Sequence, residues 1–136
     1  MNRVLGIDYG ARRVGLAISD PLNIFAKPLK TLDRKVTPNF IEEIILTIEE
    51  YSINKIVVGI PFNMKGLDSR QTIIVKEFIE EFKKKTNLQI LLQDERLSSK
   101  AAQDSLILQN KSPSRNKESI DSIAASIILQ EFLDSQ

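Results

Sequence analysis

The 136-residue chain contains no cysteine and no histidine. Without cysteine it has no disulfide framework, no cysteine–zinc site and no thiol nucleophile. Without histidine it has no Ser-His-Asp triad, no imidazole general base and no histidine-ligated metal. Any catalysis must therefore use carboxylates, Lys and Arg, hydroxyls and backbone groups. Any metal ligands must be oxygens, which suits Mg²⁺ or Mn²⁺.

The chain also lacks an excess of charge of one sign and a long apolar run. Its 19 Lys and Arg against 18 Asp and Glu give a net charge of +1, so charge alone does not indicate a nucleic-acid partner. No apolar run approaches the ~20 residues of a membrane span, and no signal peptide is recognisable. We expect a single domain over residues 1–136 that is soluble and cytoplasmic, with no membrane contact.

The spacing of apolar residues predicts the element order β-β-β-α-β-α-β-α-α. Strands are predicted over Val4–Tyr9, Val14–Ser19, about Ala26–Leu32, Lys55–Ile60 and Leu88–Leu92. The first predicted helix has Thr37 as its cap and Pro38 at its first position, and Asn54 breaks its pattern. Three further helices are predicted from Ser69 through Phe82, from Ser98 or Ser99 to about Leu108, and over Ile120–Phe132. Pro28 favours an edge position or a bulge for the third strand. The last two strands are predicted to be buried.

This order favours an α/β fold with a mixed five-stranded sheet. Three antiparallel strands come first and parallel strands follow, with helices on both faces. The pattern is ribonuclease H-like. A flavodoxin-like chain would alternate β and α from its start and ranks second.

Three acidic positions stand out. Asp8 interrupts the first strand, where alternation places it on one face with Val4 and Gly6. Asp94 and Glu95 directly follow the last predicted strand, at the carboxyl end where open α/β sheets bind ligands. Alternation does not decide between these two acids, and a structural ion pair with Arg96 is an alternative role for Asp94.

The third position is Asp121, which shares a helix face with Ala125, Ile128 and Phe132. That face is expected to pack on the sheet, although an acid that merely suits the helix dipole is the simpler alternative. Carboxylates brought together repel each other unless a cation intervenes. The acids therefore indicate Mg²⁺ or Mn²⁺, and two such ions roughly 4 Å apart can activate water and stabilise the leaving oxygen of a phosphodiester.

Four motifs resemble those of the YqgF family, also called RuvX. They are Leu5–Asp20, Val57–Gly66, Asp94–Ser99 with Ala101, and Ile120–Ala125 with Ile128–Gln130. They occur in family order and span almost the whole chain. The resemblance implies a ribonuclease H-like fold and the role of a pre-16S ribosomal RNA nuclease, with a relation to RuvC-type Holliday junction resolvases.

The resemblance also implies roles for particular residues. It matches Asp8, Glu95 and Asp121 to the family's catalytic and metal-binding acids. Other motif positions, for which we expect contact with backbone phosphates, are Arg12, Arg13, Asn63, Lys65 and Arg96. Asn63 has the alternative role of shaping its loop. The basic stretch with Arg115 and Lys117 is a further candidate for nucleic-acid contact.

The leading hypothesis is a metal-dependent endonuclease that processes the 5′ end of pre-16S ribosomal RNA during ribosome biogenesis. The nearest alternative is a Holliday junction resolvase on branched DNA, which should act as a homodimer because it cuts two strands related by a two-fold axis. A third reading is a nucleic-acid-binding module without cleavage, acting in ribosome assembly or transcription. An actin-like ATPase is disfavoured because such enzymes clamp their nucleotide between two domains of this fold.

Overall fold

A computed structural model describes residues 2–60, 70–94 and 117–136, with side chains in the last range from residue 120 onwards. In chain order the elements are β1 (Arg3–Tyr9), β2 (Arg13–Ser19), β3 (Ala26–Asp33), α1 (Phe40–Glu50), β4 (Ile53–Ile60), α2 (Arg70–Lys83), β5 (Gln89–Asp94) and α3 (Lys117–Asp134). The predicted loop over 61–68, the Ser69 cap and the predicted helix that ends near Leu108 lie outside the described residues.

The strands form one five-stranded sheet in the order β3-β2-β1-β4-β5. Strand β2 pairs antiparallel with β1 and with β3, whereas β4 pairs parallel with β1 and with β5. Pro28 lies in the edge strand β3, next to a register shift between Leu16 and Ala17 of β2. The predicted mixed sheet and the edge position of Pro28 are therefore confirmed.

Helices cover both faces of the sheet. On one face, Leu5 and Ile7 of β1 pack with residues of α1 and α2 such as Ile44 and Phe78. On the other face, a smaller cluster joins Val4 to Ala17, Val57 and four buried residues of α3, namely Ala125, Ile128, Leu129 and Phe132. Each fully buried aliphatic side chain of this kind contributes about 1.5–3 kcal/mol relative to an exposed one. Helix α3 is thus anchored on the face to which alternation assigns Asp8.

The start and end of α1 differ from the prediction. The helix begins at Phe40 with Asn39 at the N-cap position, so the Thr37 cap is wrong. Thr37 instead belongs to the turn after β3, because its N–H donates to the carbonyl of Asp33 at 2.8 Å. The chain leaves the helix at Ser52, whose φ is 56°, and Asn54 lies inside β4.

Strand β5 is shifted and less buried than predicted. It spans Gln89–Asp94, and the N–H of Leu88 donates to the Thr86 hydroxyl at 3.2 Å instead of joining the strand. Because β5 is the sheet edge after β4, Leu92 is 52% exposed. Hydrophobic runs reveal apolar residues but not the hydrogen-bonded ladder, which here continues to Asp94.

Helix α3 begins at Lys117, three residues before the predicted start at Ile120. Among the helices of the described ranges, none is long and apolar enough to cross a membrane.

Candidate active site

Asp8 lies on the α3 face of the sheet, beside two glycines. Its neighbours Leu5 and Ile7 pack on the opposite face, so alternation directs Asp8 toward α3. Asp8 is the register partner of Gly15 on β2. Gly6, on the same face, lies so close to α3 that an added Cβ would be 2.8 Å from the Cβ of Leu129. Small residues in β1 and β2 therefore bring α3 close to Asp8.

Asp121 reaches the same place from the first turns of α3. Its backbone carbonyl oxygen occupies the space where a side chain on Gly15 would lie. Because Asp8 is paired with Gly15 across the β1–β2 ladder, Asp8 and Asp121 flank one glycine. The predicted orientation of the Asp121 face toward the sheet is confirmed by the burial of Ala125 and Ile128.

Arg13 forms an ion pair with Asp121. The Nε of Arg13 donates to Oδ2 of Asp121 at 2.8 Å, and the two side chains are 24% and 25% exposed. A hydrogen bond between two charged groups that are partly shielded from water is stronger than an exposed one. The predicted phosphate-contacting Arg13 is therefore part of the acidic site itself.

Arg12, in contrast, points to the surface beside β3. Its Nη2 lies 3.4 Å from Oδ2 of Asp33, and the side chain of Arg12 is 55% exposed. The backbone N–H of Lys35 and, to a smaller extent, Arg12 hold the pKa of Asp33 below its usual value. Such an exposed pair contributes little to stability, so Arg12 can leave it for another anion at low cost.

Asp94 is the last residue of β5, and alternation assigns it the face opposite to Asp8. Ile90 packs on the cluster beneath α1 and α2, and Leu91 packs on the cluster beneath α3. Alternation then gives Asp94 the face of Ile90. Glu95 lies outside the described residues.

The structure does not describe the side chains of the remaining predicted residues. Asn63, Lys65, Arg96 and Arg115 lie outside the described ranges, and Lys117 is the first residue of α3 with an undescribed side chain. Within residues 2–60, 70–94 and 117–136 there is no group of three or more Asp, Glu, His or Cys that could hold a metal. The described residues thus bring together two of the three predicted catalytic acids.

Arg34 was missed by the sequence analysis. Its Nη1 donates to the carbonyls of Gly10 at 3.3 Å and Ala11 at 2.7 Å. Its guanidinium carbon is 4.8 Å from the ring centroid of Tyr9 and 5.1 Å from that of Phe40. Arg34 therefore ties the β1–β2 turn, which lies between Asp8 and Arg13, to the aromatic residues below. Its position after β3 gives no signal, because the partners come from other elements.

Tyr9, which follows Asp8, is fixed from the other side of the sheet. Its ring stacks on Phe78 of α2, with centroids 4.2 Å apart and planes 9° from parallel. Burial raises the pKa of Tyr9, so its hydroxyl is neutral at physiological pH. The stack holds the end of β1 in place while Asp8 faces α3.

The mixed five-stranded sheet with helices on both faces is a ribonuclease H-like fold. The fold is similar to that of fowlpox virus resolvase in complex with Holliday junction DNA, with a TM-score of 0.61 and 14% identity over 98% of this chain and 97% of that chain. It is also similar to T. thermophilus RuvC in complex with a Holliday junction substrate, with a TM-score of 0.58 and 13% identity over 99% of this chain and 95% of that chain. At these identities the likeness concerns the fold alone.

The chain belongs to the RuvX family, whose model, described as Holliday junction resolvase, matches residues 2–135. A relative from Clostridium tetani (strain Massachusetts / E88) is 43% identical over 133 residues, which cover 98% of this chain and 96% of the relative. Another relative, from Roseiflexus sp. (strain RS-1), is 38% identical over 134 residues, which cover 98% of this chain and 95% of the relative. Both relatives are provisionally named as pre-16S rRNA nucleases. The predicted family and the ribonuclease H-like fold are confirmed.

Proposed function

We propose that this protein is a divalent-metal-dependent endonuclease that hydrolyses phosphodiester bonds in the precursor of small-subunit ribosomal RNA. The observation that carries the proposal is the placement of Asp8 and Asp121 on the two sides of Gly15. Residues from the first strand and the last helix, more than 100 positions apart in the chain, meet on one face of the sheet. A structural role alone would not require two carboxylates there.

The donor chemistry fits Mg²⁺ or Mn²⁺. Asp8 and Asp121 offer carboxylate oxygens, which are the ligands that these ions prefer. Both side chains are partly exposed, so water and a phosphate can also reach the site. A bound ion of this kind stabilises negative charge on the phosphoryl oxygens and lowers the pKa of a coordinated water.

The alternation along β5 supports Glu95 as the third acid. Gln93 is paired with Gly59 and has the parity of Leu91, which packs beneath α3. Asp94 has the opposite parity, which directs it away from α3 and makes it the weaker candidate for the third acid. We therefore assign the third carboxylate to Glu95 and a structural role to Asp94.

The protein's own groups would hold the substrate and prepare the reaction. Asp8, Glu95 and Asp121 would concentrate negative charge at the cation site, and Arg12, the neighbour of Arg13 in sequence, presents an exposed guanidinium. Arginine binds phosphate oxygens without reading sequence, so Arg12 would position the strand. Asn63, Lys65, Arg96, Arg115 and Lys117 are proposed to extend this contact.

The names of the close relatives favour RNA as the substrate. The Clostridium tetani and Roseiflexus proteins align over almost their whole length with this chain and carry a name that refers to pre-16S rRNA. Such a nuclease would act in the cytoplasm, on the 5′ end of the precursor during ribosome biogenesis.

A second candidate is cleavage of branched DNA. The family description and the two structures bound to Holliday junctions favour it. A resolvase has to cut two strands related by a two-fold axis, so this candidate requires a homodimer on the junction.

One experiment separates the candidates. A small-subunit rRNA precursor and a four-way DNA junction are each incubated with the parent protein or Asp8→Asn, in Mg²⁺, Mn²⁺ or EDTA. We expect RNA cleavage that is lost in EDTA and in Asp8→Asn. Cleavage of the junction alone would favour the resolvase. RNA binding without cleavage, unchanged by EDTA and by Asp8→Asn, would replace the nuclease with a binding module.

A further inference from the structure

Asp121 already has a cationic partner within the chain. The guanidinium of Arg13 lies at hydrogen-bond distance from its carboxylate, and the proposed function requires a divalent cation to bind the same carboxylate. Two cations cannot share one carboxylate without repelling each other. The ion pair should therefore affect the affinity of this site for the metal.

The backbone holds Arg13 firmly in this position. Arg13 is the first residue of β2, and alternation gives it the same face as Gly15 and Ala17. Ala17 is buried in the cluster beneath α3, and Gly15 lies against the carbonyl of Asp121. Strand β2, whose Gly15 lies against α3, therefore also places the guanidinium of Arg13 beside Asp121.

We infer that Arg13 is an internal counter-ion of Asp121, which stabilises the acidic site without metal and weakens the binding of a divalent cation. Asp8 and Asp121 flank Gly15, and like charges at such a site oppose folding unless a positive charge offsets them. Arg13 supplies that charge. When the metal arrives, the same charge opposes it. Arg13 is a positioning residue, and this inference rests on the proposed metal-dependent function.

Arg12 provides a matched control. It is the neighbouring residue and has the same side chain, but it pairs with Asp33 at the end of β3. Removing its charge changes the net charge by the same amount without touching Asp121. A specific counter-ion effect should therefore appear with Arg13 and not with Arg12.

The test is a titration of the purified full-length chain with Mn²⁺, in which free Mn²⁺ is followed by electron paramagnetic resonance. We expect Arg13→Gln to bind Mn²⁺ about tenfold more tightly than the parent, because a repelling charge is removed from a partly shielded site. Arg13→Lys, which keeps the charge, should bind as the parent does, and so should Arg12→Gln. Arg13→Met, which keeps the apolar stem, is a second charge-free variant in case Arg13→Gln does not fold.

The outcomes separate this inference from the proposed function. Asp8→Asn should weaken Mn²⁺ binding. If it does, while both charge-free variants of Arg13 bind Mn²⁺ no more tightly than the parent, the counter-ion role is wrong and the metal site stands. If the parent binds no Mn²⁺, or Asp8→Asn binds as tightly as the parent, the metal site itself is wrong and the counter-ion role is overturned with it.

Discussion

The carbonyl oxygen of Asp121 occupies the space into which a side chain on Gly15 would extend. This contact joins the second strand to the start of α3 and sets the position of Asp121 on the sheet. Glycine is required at this position because of close approach, not because of an unusual backbone angle.

Gly15→Ala should therefore disrupt both the fold and the site. The added methyl group overlaps the backbone of α3, which cannot rotate away as a side chain can, so we expect a loss of about 3 kcal/mol in the free energy of unfolding. We also expect loss of Mn²⁺ binding at temperatures where the variant is folded. Urea unfolding and Mn²⁺ titration measure the two effects.

Gly6→Ala is the comparison for this prediction. Its added Cβ would meet Leu129, two turns beyond Asp121 on α3. We expect it to lower stability but to retain most of the Mn²⁺ binding. Equal Mn²⁺ binding by both variants would contradict the idea that Gly15 positions Asp121.

The third acid can be identified by a matched pair of substitutions. Glu95→Gln should reduce cleavage by about 100-fold or more, because it removes a proposed metal ligand. Asp94→Asn should leave the rate within about threefold of the parent, because alternation directs Asp94 to the α2 side of the sheet. Single-turnover cleavage at saturating metal measures both. The reverse order of effects would transfer the catalytic role to Asp94.

Arg34→Ala tests the support of the β1–β2 turn. The substitution removes two hydrogen bonds to the carbonyls of Gly10 and Ala11 and the stacking on Tyr9 and Phe40. We expect a loss of about 2 kcal/mol in the free energy of unfolding, measured with urea. The exposed neighbour Lys35→Ala should change it by less than about 0.5 kcal/mol. Equal losses in the two variants would show that Arg34 does not hold the turn.

Short-range sequence patterns identified the two faces on which the site is built. Period-two alternation placed Asp8 with Val4 and Gly6, and helical spacing placed Asp121 with Ala125, both in agreement with the structure. The contact between Arg13 and Asp121 spans 108 residues and depends on how α3 docks. No local pattern encodes such a contact.

The errors of prediction have the same origin. Thr37 and Pro38 have the residue types of a helix start, but the carbonyl of Asp33 uses the N–H of Thr37 for a turn. The helix therefore begins only at Phe40. Arg34 had no recognisable motif because its four partners lie on the β1–β2 turn, at the end of β1 and in α1. In both cases tertiary contacts decide what the local sequence leaves open.

Asp20 should contribute to the loss of stability in acid. The backbone N–H groups of Phe25 and Ile24 donate to its Oδ1 at 3.1 Å and 2.7 Å and hold the pKa of Asp20 below its usual value. The folded chain therefore binds fewer protons there than the unfolded chain. The resulting stabilisation is present above the ordinary pKa of about 4 and is lost as the pH falls through the lower, folded-state pKa.

Asp20→Asn should therefore make the free energy of unfolding less dependent on pH in the acidic range. We expect the variant to be less stable than the parent at pH 7 and the difference to shrink as the pH falls below about 4. Urea unfolding at a series of pH values measures this. Glu49→Gln, on the exposed side of α1, should leave the pH dependence of the free energy of unfolding unchanged. A constant difference between Asp20→Asn and the parent at all pH values would exclude the role of Asp20.

Arg12 should contribute to substrate affinity through charge alone. It lines a surface hollow of about 300 Å³ together with Arg34 and Lys35, at the β1–β2 turn that leads from Asp8 to Arg13. Each phosphate contact releases counter-ions, so Arg12→Gln should lower the slope of log affinity against log salt concentration by about one. Lys84→Gln, directly after the end of α2, removes the ion-pair partner of Glu81 and should leave the slope unchanged. The measurement is fluorescence anisotropy with labelled RNA precursor and labelled four-way junction in EDTA. If Arg12→Gln and Lys84→Gln lower the slope equally, binding depends on the net charge of the protein, and Arg12 does not contact the nucleic acid.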